Sequence, residues 1–163
     1  MSAEATDAQR ETVRSIVGDA RIAMLTTLDA DGALVSRPMG VQATEEDADL
    51  WFFADAHAHT AGEVAHDARA NAAFSTSSSW LSVSGRLAVV RDLDAIREHW
   101  GPSAEAWFPD GPETPGVVLL RLHAETAEYW DAPGGRLVTA VSLVRAKVTG
   151  KRFEGGENET VGL

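Results

Sequence analysis

Trp80-Leu81-Ser82-Val83-Ser84-Gly85-Arg86-Leu87-Ala88-Val89-Val90-Arg91 is the stretch on which the fold class turns. Leu81, Val83, Gly85, Leu87 and Val89 alternate with Ser82, Ser84, Arg86 and Ala88. A period of two sends every apolar side chain to one face, so the segment reads as a strand in a sheet with one buried side. Working outward, Asn71 to Ser77 reads as the preceding strand, joined by the turn Ser77-Ser78-Ser79, and Val117 to Trp130 as the longest strand. Arg21 to Leu28 and Leu34 to Gln42 flank Asp29-Ala30-Asp31-Gly32, which is hairpin chemistry. Asp49 to Ala54 contains the apolar run Leu50-Trp51-Phe52-Phe53, expected to be a strand buried on both faces.

Helical spacing appears from Thr6 to Gly18, where Val13, Ile16 and Val17 share one side and Gly18 is the expected stop. Ala56 to Arg69 and Leu93 to Trp100 also read as helices, the latter ended by Gly101-Pro102, with one more helical turn at Glu105 to Phe108. Leu137 to Val148 fits either a helix or a strand, and the tail 150–163 reads as extended or mobile. The total of about six strands and three to five peripheral helices lacks the regular alternation of a doubly wound parallel sheet. The expected fold is mainly β, a six-stranded antiparallel barrel flanked by helices. It is expected to form a single domain over residues 1–163, with an N-terminal helix in 1–18 and a C-terminal tail in 150–163.

Composition narrows the function classes. The 163 residues include 25 Asp and Glu against 14 Lys and Arg, for a formal charge of −11. That balance argues against nucleic acid, which is bound through a basic face. The absence of cysteine excludes a disulfide scaffold, a Cys-ligated metal and a thiol nucleophile. Only Lys147 and Lys151 are lysines, so lysine chemistry is excluded upstream of residue 147. No segment has the roughly 20 apolar residues of a membrane span. The polar start of the chain is unlike a secretory signal, so the expected location is the cytoplasm.

Arg37-Pro38-Met39-Gly40 breaks the strand pattern, because proline cannot donate to a central ladder. Pro38 marks either a bulge that aims Arg37 at an anionic or planar ligand, or an edge strand with a solvated arginine. Of five tryptophans, Trp51 and Trp80 are expected in the core or a pocket wall. Trp107 and Trp130 sit at element ends, where an aromatic suits stacking on a planar ligand, a dimer interface or ordinary packing. His57, His59 and His66 with Asp55 lack a metal-site spacing and read as helix-surface residues, so no metal is assigned. There is no G-x-S-x-G elbow, P-loop or G-x-G-x-x-G. An enzyme of this sequence would therefore leave its chemistry to a cofactor.

Six segments together resemble a known family: Met24-Leu25-Thr26-Thr27, Ser36-Arg37-Pro38-Met39, Leu50-Trp51-Phe52-Phe53, Val83-Ser84-Gly85, Ala106-Trp107-Phe108-Pro109 and Glu128-Tyr129-Trp130-Asp131. Their order and spacing are similar to those of the bacterial general stress proteins. These belong to the pyridoxamine 5′-phosphate oxidase-like, flavin-binding split-barrel group. The resemblance spans residues 10–163, including Thr149-Gly150-Lys151 and Glu157-Asn158-Glu159. It implies a homodimer of six-stranded split β-barrels with FMN in clefts between the subunits. Ser36, Arg37, Pro38 and Met39 would line the flavin ring, and Phe53, Ala54 and Asp55 would run beside the ribityl chain. Ala58, His59 and Thr60 would meet the phosphate at a helix start, a natural anion site. Trp107 and Trp130 would approach the cleft, including from the partner chain.

Relatives read Ser-His-Lys where this chain reads Ala58-His59-Thr60. A hydrogen bond to a charged group is worth about 1.5–3 kcal/mol, so losing the lysine implies roughly tenfold to hundredfold weaker FMN binding. The departure also leaves room for FAD or a deazaflavin. The functional expectation is an FMN-dependent oxidoreductase or flavin reductase acting on a small molecule, with NAD(P)H as reductant. The alternatives are a non-catalytic flavin-binding stress protein and a homodimer whose site has decayed. Oxidation of pyridoxamine phosphate itself fits less well, because no basic cluster offers a second phosphate site.

Overall fold

The alternation of residues 80–91 is realised in strand β5 (Ser79–Val90), where Leu81, Val83 and Leu87 are buried and Ser84, Arg86 and Ala88 are exposed. The computed structural model describes residues 5–42, 49–131 and 157–162. Helix α1 (Asp7–Ala20) leads into β1 (Ile22–Leu28), β2 (Leu34–Gln42) and β3 (Leu50–Asp55). Helix α2 (His59–His66) and β4 (Arg69–Ser75) precede β5, and then come α3 (Leu93–Glu98) and α4 (Pro102–Trp107). Strand β6 (Val117–Asp131) and β7 (Glu157–Gly162) complete the described elements.

All pairings are antiparallel, in the order β3-β2-β1-β4-β5-β6-β7, and β3 also pairs with β6. That last pairing closes six strands into a barrel. One edge of β6 is divided: residues 117–122 take β3 and residues 126–131 take β7. The interior is filled by Leu25, Phe52, Leu81, Val83, Leu120 and Leu122, all essentially inaccessible to solvent. Outside β3, a second cluster gathers Trp51, Phe53, Ile96, Trp100 and Phe108 beneath α3 and α4. The expectation that β3 is covered on both faces is therefore met, with Leu50 and Phe52 turned inward. Among the described residues no helix is long and apolar enough to cross a membrane.

Several boundaries differ from the sequence expectation. Helix α1 passes Gly18 and ends at Ala20, where Arg21 adopts the left-handed conformation (φ 59°) and its N–H donates to the Val17 carbonyl. Helix α2 is shorter than Ala56 to Arg69. The Asp67 carboxylate takes the Arg69 N–H at 2.9 Å, and the Ala68 carbonyl accepts from Leu87, so the chain joins the sheet at Arg69. Helix α3 ends at Glu98 with His99 as its cap, short of the expected Trp100, and Gly101-Pro102 instead opens α4, with proline at the helix position that tolerates a missing N–H. Residues 157–162 of the expected tail form a seventh strand that buries Val161 and receives the Ala5 N–H. Leu137 to Val148 lies outside the described residues. Trp80 stands half-exposed on the outer face, because Leu81 and Val83 take the inward positions beside it.

A bulge sets the register between β5 and β6. Ser84 faces Thr126 while Gly85 faces Ala124, so Glu125 is an extra residue on β6. A Cβ at Gly85 would lie 2.0 Å from the His123 carbonyl oxygen, a backbone atom with nowhere to move. We expect Gly85→Ala to destabilise the fold by about 1–3 kcal/mol or more, lowering Tm by roughly 2–4 °C per kcal/mol. A thermal melt identical to that of the parent protein would contradict this register.

Candidate functional site

Among the described residues β2 and β3 pair at Val41–Phe52 and Gln42–Trp51 alone. Toward Pro38 the two strands part. A residue without an N–H costs nothing on an edge that has no ladder partner, so Pro38 suits this opening. The gap holds a cavity of about 380 Å³, within the range of small-molecule sites. Pro38, Met39, Gly40 and Gln42 form one wall and Phe53, Ala54 and Asp55 another. The start of α2, through Ala58 and Thr60, closes one end, and Ser103, Ala104, Trp107 and Phe108 of the α4 region cover the side.

The α4 wall is held by aromatic packing. Trp100 meets Phe53 edge-on at 5.3 Å between ring centroids, and Phe108 lies 6.5 Å from Trp100. Phe53 thus belongs to both the cavity and the second apolar cluster. Trp107, at the rim, is 81% exposed. A large aromatic left in water beside a concave apolar site is a ready stacking surface.

The α2 end is built from a turn that satisfies itself. Asp55 Oδ1 accepts the His57 backbone N–H at 2.8 Å and lies 3.0 Å from His57 Nδ1. The Asp55 carbonyl accepts from Ala58 N–H, and the Ala58 carbonyl from Ala61 N–H. Gly116, at φ +94°, packs against this turn and accepts the Ala56 N–H at 2.7 Å. Ala58 caps α2 without a side-chain bond. The His59 and Thr60 amides that open the helix have no acceptor among the described residues. The His57 backbone N–H and then the His57 ring hold the Asp55 carboxyl below its ordinary pKa of 3.8, so it is charged at neutral pH. Asp55 is also the one charged residue in the described lining.

Of the sequence-derived candidates, the cavity wall gathers Pro38, Met39, Phe53, Ala54, Asp55, Thr60 and Trp107. Ser36, Arg37, His59 and Trp130 lie outside it, each for a local reason. Ser36 faces outward and shares a 2.7 Å hydrogen bond with Thr26. Arg37 pairs in register with buried Leu25, which turns its side chain toward the barrel interior. There its Nη2 donates to Glu63 Oε2 at 2.8 Å and its Nη1 to Thr27 Oγ1 at 2.5 Å. Thr27 Oγ1 in turn donates to the same carboxylate oxygen at 2.6 Å. His59 begins α2 on its exposed side, and Trp130 pairs with Trp80 on the outer face. Gln42, Ser103 and Ala104 carry no signal in the sequence, and Gly40 and Phe108 lie in quoted segments without a role assigned to them. The proline at the first position of α4 was the signal that a further helix begins there.

The Arg37–Glu63–Thr27 network ties α2 to β1 and β2, and so fixes the cavity end against its wall. Glu63→Leu should destabilise the fold by about 1–3 kcal/mol, because the mostly buried Arg37 loses its counter-charge. Arg37→Met combined with Glu63→Leu should recover most of that loss. Urea unfolding of both singles and the double tests this, and strictly additive losses would show that the pair is not coupled.

Comparison with known proteins places this geometry. The sequence profile described as "Pyridoxamine 5'-phosphate oxidase like" matches residues 8–154. Protein bli-3 of Neurospora crassa is 31% identical over 157 residues, which is 89% of this chain and 75% of that protein. The structure of a general stress protein 26 from Jannaschia sp. CCS1 is 25% identical, with a TM-score of 0.78 over 97% of this chain and 100% of that one. The general stress FMN/FAD binding protein from Xanthomonas citri is 29% identical, with a TM-score of 0.67 over 77% of this chain and 90% of that one.

Proposed function

Because the chain belongs to the pyridoxamine 5′-phosphate oxidase-like family, we propose that the cavity between β2, β3, α2 and α4 is a flavin site. FMN is the cofactor and a small molecule the substrate. The observation that carries this reading is the shape and chemistry of the walls. Pro38, Met39, Phe53 and Phe108 make the walls of a cavity of about 380 Å³ largely apolar, which suits a ring system. The start of α2, whose Ala58 and Thr60 line the cavity, is a helix N-terminus and so a natural place for neutral donors. The FMN/FAD binding of the Xanthomonas citri protein supports the same cofactor class.

A bound flavin would supply hydride and electron transfer, the chemistry this protein's own side chains lack. The residues named here bind and orient the ring, exclude water from its faces and leave the Trp107 side open to a second molecule. Asp55 is the one titratable group in the described lining and is held as a carboxylate, so it accepts hydrogen bonds and does not serve as a proton donor. This favours an oxidoreductase reduced by NAD(P)H, in which hydride transfer needs no protein acid. It also leaves open a flavin-binding protein without turnover. Titration of the apoprotein with FMN should quench flavin fluorescence saturably, and NAD(P)H consumption by the loaded protein separates the two readings. Folded protein that quenches no flavin would refute both.

We further propose that the working unit is a homodimer. Ile22 (59% exposed), Trp80 (50%) and Trp130 (37%) stand on the outer face of β1, β5 and β6. The register through β4 aligns Ile22, Ser75, Trp80 and Trp130 in one row, and Met24 (45% exposed) lies in the next. Gly40 and Pro38 of the cavity wall pair with Ile22 and Met24, so this apolar surface runs to the rim of the site. A surface of this kind suits a second copy better than water. Met24→Arg should shift the mass by light scattering from twice the chain mass to the chain mass. A monomeric parent protein would refute the dimer.

A further inference from the structure

We propose that Asp55 cancels most of what this cavity would gain from a terminal phosphate dianion, so that its affinity resides in the flavin ring and ribityl chain and FMN gains little over riboflavin. The inference rests on the flavin reading of the cavity and adds a specificity to it. Three observations carry it.

The first is the position of the charge. Asp55 lies in the cavity wall and opens the turn that leads into α2, whose Ala58 and Thr60 also line the cavity. Its carboxylate occupies the His57 N–H, a donor that would otherwise be free to face an anion. The second is the missing counter-charge. The described lining holds no arginine, lysine or histidine. Arg37, the cation nearest in sequence to this wall, is turned inward and neutralised by Glu63. The third is the cap. Ala58 brings no side-chain donor to the helix start, which leaves the His59 and Thr60 amides and the Thr60 hydroxyl against a dianion. Neutral donors at a helix start favour an anion modestly, whereas a carboxylate in the same cavity wall opposes each phosphate charge.

Riboflavin carries no phosphate, and FAD carries its two as internal diesters with one charge each. The shared chemistry that fits is an isoalloxazine on a ribityl chain without a terminal dianion, and the two ligands tell the sources apart. Binding is read by flavin fluorescence quenching of the full-length protein with riboflavin, FMN and FAD. For the parent protein, FMN and riboflavin should bind within about tenfold of each other. Asp55→Asn keeps a side-chain acceptor for the His57 N–H and should raise the FMN-to-riboflavin affinity ratio by roughly tenfold. Thr60→Lys, which adds the absent cation at the helix start, should raise the same ratio by about tenfold to hundredfold. Tighter FAD than riboflavin would place the diphosphate and adenosine toward exposed Trp107, and equal affinities would leave riboflavin chemistry as the whole of what is read; both agree with the proposal. A parent protein that binds FMN a hundredfold or more above riboflavin overturns it, as does an unchanged ratio in Asp55→Asn. Loss of all three flavins from a folded parent protein would instead overturn the flavin reading, and this inference with it.

Discussion

Everything else in this structure depends on the closure of β3 onto the first half of β6. A 15-residue strand offers far more edge than the six residues of β3 can cover, so the remainder must find another partner or stay open. β7 takes that remainder. Unpaired strand edges are exposed donors and acceptors that invite aggregation, and dividing one edge between two short strands removes the hazard without lengthening either. The closure also decides where β3 ends. Its last residue, Asp55, faces Val117, the first of β6, and the chain must turn there into α2. The cavity end is therefore placed by the register of the barrel.

The cavity opens where β2 and β3 stop pairing. β3 pairs with β6 along one edge over its whole length, while β2 pairs with β1 from Leu34 to Gly40. Among the described residues their facing edges share the pairs Val41–Phe52 and Gln42–Trp51, and the gap beyond them is the cavity. Side chains of β2 alternate between interior and exterior, and Arg37, opposite buried Leu25, points inward. An arginine inside a barrel requires a counter-charge, which Glu63 supplies from α2. One ion pair thus fastens the helix to the wall and holds Arg37 away from the site.

How much of this was legible in the sequence depends on the range of the interaction. Strand β5 was legible because its alternation is local, and the β1–β2 hairpin because Asp29 to Gly32 is turn chemistry. The Asp29 carboxylate accepts the N–H groups of Asp31 and Ala33. The resemblance drawn from six short segments carried the family and the barrel, and it directed attention to Pro38, Met39, Phe53 and Trp107. β7 was not legible, because an acidic stretch such as Glu157 to Glu159 becomes a strand only when β6 offers an edge. The direction of Arg37 was not legible from its own segment either. It follows from the pairing of Leu28 with Leu34, which places Arg37 opposite Leu25, and Pro38 drew attention to the wrong side of the strand. Trp80 shows the same effect, since the pattern of a strand identifies its two faces and burial alone says which one holds the tryptophan.

The exterior of the barrel bears on the cavity through that alternation as well. Residues that leave the interior on β2 are Ser36, Pro38 and Gly40, and the last two line the opening while pairing with outward Met24 and Ile22. The apolar row of Ile22, Trp80 and Trp130 is therefore continuous with one wall of the site. On the proposed dimer, the surface that joins two copies and the surface that meets a flavin are one sheet face read at two places. The energetic consequence is a coupling: apolar contacts that hold β1 and β2 in a dimer also hold Pro38 and Gly40 in the geometry of the wall. A ligand that presses on Pro38 then presses on the interface. Affinity for the ring and affinity between subunits would rise together, and the Arg37–Glu63 pair would carry the same constraint to the start of α2.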